Sequence, residues 1–218
     1  MLGWIGRVLA AGALASCAAA TTPQPAPTLV PLRFAGPVAN LVLPVTELPT
    51  GTRITTEGRL TTADLDAAQS PTAPGAYEAL LIQHDFIAAY FRTFGVQKSG
   101  GKSTDVECIV LLFADKPGLR DLVSVQGDAM LAYGYRPISM RQTIGDASRA
   151  VSLNGTMKDA SGRDVTVTSV RIMYALANLV VQISIQDDPK NVDPLDAIDL
   201  ANRELQYLQR AAPLASPR

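Results

Sequence analysis

Histidine is almost missing from this chain: His84 is the only one. A His-based metal site therefore cannot form within one chain, and neither H-E-x-x-H nor C-x-x-C occurs. The G-x-S-x-G elbow of serine hydrolases is missing as well. Cysteine is nearly as scarce. Cys17 and Cys108 could close at most one disulfide, so this is not a disulfide-stapled scaffold. Charge of one sign is also lacking, with a net value of −1 and no basic cluster. That excludes the electrostatic footprint of a nucleic-acid binder and of a polybasic membrane surface. Long hydrophobic runs are absent too. The uninterrupted stretch from Val8 to Ala20 is 13 residues long and is stopped by Arg7, whereas a spanning helix needs about twenty.

What is present fits a folded globular protein. The composition is 47% hydrophobic and 18% charged, and 218 residues can bury one sizeable core. The N-terminus carries one positive charge, Arg7, then the small apolar run VLAAGALAS from Val8 to Ser16. This is the layout of an export signal. An ordinary secretory signal cut near Ala18 to Ala20 is one outcome, because an A-x-A pattern is available there.

Leu14, Ala15, Ser16 and Cys17 define a second outcome. LASC resembles the lipobox of bacterial lipoproteins. That resemblance implies that Cys17 becomes the mature N-terminus and carries a diacylglyceryl thioether plus an N-acyl chain. Two or more chains anchor a protein stably, since each buried methylene contributes about 0.8 kcal/mol. The implied organisation is a signal peptide over 1–16, a lipid-anchored Pro/Ala/Thr-rich tether over 17–36, a globular domain over 37–212 and a disordered tail over 213–218. The implied location is extracytoplasmic, on a membrane of the cell envelope.

Seven of the 15 prolines lie between Pro23 and Pro49, and the first acidic residue is Glu47. Residues 18–28, AAATTPQPAPT, read as an uncharged spacer with polyproline character. Residues 29–46 turn apolar again and are expected to lie against the domain. With Cys17 consumed by lipid, Cys108 has no partner. Alternation in DVECIVLLFA places Val106, Cys108, Val110 and Leu112 on one face and Glu107, Ile109, Leu111 and Phe113 on the other. Cys108 is thus expected to be a buried core thiol.

The remaining pattern predicts a strand over 52–59 and short helices from Thr61 and from Ala76 to His84; 86–96 could continue the second helix, but its aromatics and Gly95 favour a strand in a hairpin with 106–114. Asp115 and Pro117 signal a helix presenting Leu119, Leu122, Val123, Gln126, Met130 and Tyr133. Strands are expected at 137–142, 147–157, 165–174 and 179–186. A final helix begins at Asp193-Pro194 and presents Leu195, Ile198, Ala201, Leu205 and Leu208. The sum is α+β: one domain, a twisted antiparallel sheet packed against helices. With ELPTG at 47–51 and IGDAS at 144–148, this element order is similar to the extracytoplasmic domains of bacterial lipoproteins, some of them PsbP-like. The resemblance carries no catalytic residues.

Motifs with chemistry are few. GGKST at 100–104 ends like a phosphate loop, but the required upstream glycine falls on Val96, so the amide cradle cannot form. A Cys108–His84 pair is disfavoured by the buried strand position of the cysteine. The stretch QDDPKNVDPLDAID offers Asp187, Asp188 and Asp193 as calcium candidates, without the spacing or the glycine of an EF-hand. Asp193 as N-cap and Pro194 at the first helical position explain the same residues. Asp64 and Asp66 could serve as paired carboxylates only if space brings them together suitably. Asn154-Gly155 reads as a tight turn or bulge. No cofactor is implied. The expected function is a membrane-anchored, non-enzymatic domain binding an apolar small ligand or a protein partner; the alternatives are a carboxylate hydrolase and a structural lipoprotein.

Overall fold

Residues 33–69, 73–97, 103–114, 118–158 and 161–211 are described by a computed structural model. Seven strands run as β1 (Arg53–Leu60), β2 (Phe86–Gln97), β3 (Ser103–Phe113), β4 (Arg136–Pro137), β5 (Ala147–Lys158), β6 (Asp164–Leu176) and β7 (Leu179–Asp187). They form one open sheet in the order β1-β2-β3-β7-β6-β5-β4, and every neighbouring pair is antiparallel. Among the described residues four α-helices accompany it: α1 (Thr62–Gln69), α2 (Ala76–Gln83), α3 (Leu119–Ala132) and α4 (Pro194–Ala211). This is the expected single-domain α+β architecture.

Phe86–Gln97 is a strand, and its pairing with β3 makes the expected hairpin. The expected strand over 137–142 shrinks to Arg136–Pro137. Pro137 has no N–H to donate, which suits the outer edge of the sheet, and one further bond follows it, from the Ile138 amide to the Ala150 carbonyl at 2.9 Å. Asn154-Gly155 is not a turn. Both residues sit inside β5, paired with Thr168 and Val167, and the Thr168 hydroxyl donates to Asn154 Oδ1 at 2.7 Å. Asp115 and Pro117 lie outside the described residues.

Both faces of the sheet are covered, which explains the two-sided apolar character of β3. On one face Val106, Cys108, Val110, Ile172 and Ile183 meet α4 and an N-terminal arm from Phe34 to Leu48. On the other Ile109, Leu111, Phe113 and Met173 meet α1, α2 and α3. The arm is integral to the core: Phe34, assigned to the tether on sequence, is 1% exposed, and Val38, Leu41, Val42 and Leu43 are buried with it. Asn178 pins it. The Asn178 side chain accepts from the Phe34 amide (2.8 Å) and donates to the carbonyls of Phe34 (3.1 Å) and Phe113 (3.0 Å). ELPTG joins arm to helix, since Glu47 pairs with Arg210 of α4 at 2.8 Å.

A two-residue turn, Ala177–Asn178, closes the β6–β7 hairpin, and Ala177 is held at φ +53°. A side chain in that conformation costs about 1–2 kcal/mol, part of which glycine returns to the unfolded chain as entropy. Ala177→Gly is expected to stabilise the fold by about 0.5–1 kcal/mol, read as a higher urea midpoint at unchanged slope. A lower midpoint would contradict the turn geometry.

Candidate functional site

Local capping decides the fate of most candidate carboxylates. Thr61 and Asp64 form a reciprocal capping box at the start of α1. The Asp64 amide donates to Thr61 Oγ1 (3.1 Å), while the Thr61 amide (2.8 Å) and hydroxyl (2.6 Å) donate to Asp64 Oδ2. Asp66 reaches the start of α2, where the amides of Gly75 (2.6 Å), Tyr77 (2.9 Å) and Glu78 (3.2 Å) donate to its carboxylate. These donors hold both carboxylates below the ordinary aspartate range. Neither is a proton reservoir at neutral pH, so Asp64 and Asp66 are not an acid/base pair.

The acidic stretch follows the same logic. Asp187 Oδ2 accepts from the Thr104 hydroxyl (2.7 Å), and Asp187 Oδ1 from the Asp188 amide (2.6 Å). Asp188 Oδ1 accepts from the Lys190 amide (2.9 Å), and Asp193 Oδ1 from the Leu195 amide (2.9 Å). Turn and cap bonds thus occupy these oxygens. Among the described residues, no group of three or more His, Cys, Asp or Glu side chains could hold a metal ion. Cys108 is buried and free, on the α4 face of the sheet. His84 ends α2 on the opposite face, beside Gly118, so the two do not pair. Cys17 and most of GGKST lie outside the described residues.

Two polar constellations were not expected. The first is buried. Glu204 of α4 is 0% exposed, and its carboxyl faces the Leu43 amide and the Cys108 thiol. It lies with Cys108 and Tyr174, whose hydroxyl is unpartnered, beneath the arm. Burial pushes the Glu204 carboxyl well above its usual range; the Leu43 amide, the Arg92 guanidinium and the Cys108 thiol beside it offset part of that shift. Arg92 itself is committed to Glu57 (2.7 Å) and to the carbonyls of Val42 (3.1 Å) and Leu43 (3.0 Å). The helix turns Ala197, Ala201, Glu204 and Leu208 inward, while Leu195 is 63% exposed. The expected stripe included Ala201 and Leu208 but passed over Glu204, because a charged residue is not read as an inward position.

The second constellation is open. A cleft of about 240 Å³ lies between α1 and the sheet face formed by β1, β2, β3, β6 and β7. Its walls are Leu60, Leu65, Phe91 and Ile109, and its polar groups include Gln69, Glu107, Arg171 and Gln182. Strand alternation puts Glu107 and Arg171 on this face. Glu107 of β3 opposes Ser184 of β7, which opposes Arg171 of β6. The two Cα atoms are therefore two strand spacings apart, roughly 10 Å. Gln69 donates to Gln182 Oε1 at 3.0 Å, and Gln182 donates to Ser184 Oγ at 3.3 Å, which fixes the cleft floor. Arg171 stacks over Tyr135 at 5.6 Å, and its Nε is buried without a partner. Burial raises the Glu107 carboxyl, and Arg171 lowers it in part. The expected alternation of β3 did place Glu107 beside Ile109, but nothing in the sequence paired it with Arg171, 64 residues on.

A larger cavity of about 280 Å³ opens between α4 and the arm, over Val96, Val106 and Ile185. Its one cationic lining residue, Arg203, donates to the Glu47 carbonyl at 3.4 Å. The α1 cleft is the better candidate, because it combines apolar walls with convergent polar groups, among them the unpartnered Arg171 Nε.

The fold and the cleft define an open antiparallel α+β sheet with helices on both faces and one small pocket under α1. A solved structure with a similar fold is the extracellular domain of PknH from Mycobacterium tuberculosis. The similarity has a TM-score of 0.53 at 13% sequence identity and covers 79% of this chain and 95% of that one. At that identity the likeness is one of fold. No protein-family model and no curated protein matches the chain in sequence. No helix among the described residues is long and apolar enough to cross a membrane.

Proposed function

We propose that this chain is an envelope lipoprotein, anchored by lipid on Cys17, whose domain binds a small ligand in the cleft beneath α1. The cleft carries the binding half of this reading: a concave apolar site with a carboxyl, a guanidinium and two amides converging on it. LASC and the proline-rich spacer support the anchoring half. An extracytoplasmic place is also in keeping with the fold it shares with an extracellular domain. Binding is favoured over carboxylate-dependent hydrolysis. Of the two acidic residues lining the cleft, Asp64 has Oδ2 held by both Thr61 donors, so Glu107 lacks a free carboxylate partner.

The two halves are tested separately. Mass spectrometry of the full chain expressed in a bacterium is expected to find acylated Cys17 as the N-terminal residue, with Cys17→Ala moving to the soluble fraction. An unmodified N-terminus upstream of Cys17 would sink the anchoring claim. For binding, an NMR fragment screen is expected to perturb Leu60, Phe91, Ile109 and Gln182 together. Hits that never touch these residues would overturn the cleft as the ligand site.

A further inference from the structure

Glu107 and Arg171 flank one cleft, carry opposite charges and do not close on each other. Among the described residues Glu107 makes no hydrogen bond or ion pair, and the one opposite charge acting on it is Arg171. Arg171 spends its cationic face on Tyr135 and leaves Nε buried and unpartnered. A buried donor without an acceptor is destabilising, so a ligand that supplies the acceptor recovers that loss. Ser184, the residue between them in the ladder, is too short to bridge the gap and is already used by Gln182.

From this juxtaposition we infer that the cleft binds a small zwitterion, an α-amino acid with an apolar side chain. Its carboxylate faces Arg171 and its ammonium faces Glu107. Its side chain lies against Leu60, Leu65, Phe91 and Ile109. This deepens the ligand-binding reading of the same cleft and rests on it. A simple anion would bring a second negative charge to Glu107, and a simple cation a second positive charge to Arg171. Each leaves one half-buried group uncompensated, which is the physical basis of discrimination. The size agrees: the cavity falls below the roughly 300–1,000 Å³ of drug-sized sites.

The test is calorimetry and NMR titration of the full chain in detergent micelles with L-leucine, 4-methylpentanoate and 3-methylbutylamine. The latter two keep the side chain and lose the ammonium and the carboxylate respectively. L-Leucine is expected to bind at least tenfold more tightly than either analogue, with shifts at Ile109, Arg171 and Gln182. Glu107→Gln and Arg171→Gln are each expected to weaken L-leucine at least tenfold. The comparison of analogues on the unaltered chain stands even if a variant fails to fold. Equal binding of L-leucine and one analogue would overturn the zwitterion assignment while leaving a ligand-binding cleft. Cleft shifts from other fragments but none from L-leucine would also overturn it. Silence of the cleft toward every compound would overturn both this inference and the binding reading beneath it.

Discussion

Gly145→Ala is expected to lower the stability of the fold by about 3 kcal/mol or more, the sum of a left-handed backbone and a backbone collision. Gly145 is the second residue of IGDAS and sits at φ +63°. A Cβ there would lie 2.3 Å from the Ala175 carbonyl oxygen and 3.1 Å from the Tyr174 ring. The carbonyl cannot retreat easily, because the Asp146 amide donates to it at 2.7 Å. The rest of the motif tightens the same corner. Asp146 Oδ2 accepts from the Ala177 amide (2.8 Å), Ser148 Oγ from the Ile144 amide (3.0 Å), and Ile144 is buried. IGDAS is thus a structural clamp that seats the start of β5 against the β6–β7 turn. For a chain of this size the loss corresponds to a fall in Tm of about 6–12 °C. Gly134→Ala is the control: φ is +91° but a Cβ meets nothing within 4 Å, so about 1–2 kcal/mol is expected. Equal losses at the two sites would show that the close approach to Ala175 does not matter.

Glu204→Gln is expected to act in the opposite direction, stabilising the protein increasingly as pH rises. The native carboxyl titrates well above its usual value of 4.5, because burial disfavours its charge. The unfolded chain gives up this proton near pH 4.5, and the folded chain only at higher pH. Stability contributed by the protonated form is therefore complete below pH 4.5 and is lost as pH rises through the native value. In that window the slope is about 1.4 kcal/mol per pH unit. From about pH 5 upward the wild type should lose stability relative to Glu204→Gln, levelling off only once the native carboxyl has ionised. Urea unfolding of both proteins across this range checks it. Parallel stability curves would mean that Glu204 titrates normally and is not sealed beneath the arm. Asp64 and Asp66 act on the other limb: their lowered native values mean that their contribution disappears as pH falls below the usual 3.8.

Much of the fold was legible because it is local. Alternation assigned both faces of β3 correctly, with Val106, Cys108 and Val110 on one and Ile109, Leu111 and Phe113 on the other. The capping signals at Thr61 and Asp193 marked real helix starts, and the ambiguous Phe86–Gln97 resolved as a strand paired with β3. Errors arose where a distant partner overrode the local pattern. Asn154-Gly155 is turn-like by itself, yet Thr168 across the ladder keeps it extended. The α4 stripe held at Ile198, Ala201, Leu205 and Leu208 but not at Leu195, which is exposed, while Ala197 and Glu204 turn inward.

The sequence by itself determined the α+β class, and it carries the LASC pattern on which the anchoring proposal rests. Those properties depend on residue type and on short-range periodicity. Only the tertiary structure decided that Asn178 pins the arm at Phe34, that Glu204 is sealed among Cys108 and Tyr174, and that Glu107 and Arg171 face one cleft. The physical reason lies in the strand order. The chain crosses from β3 to the far edge of the sheet before β7 returns to lie beside β3. That insertion brings β6 within two strands of β3, and no local pattern along the chain encodes a neighbour made by such a crossing.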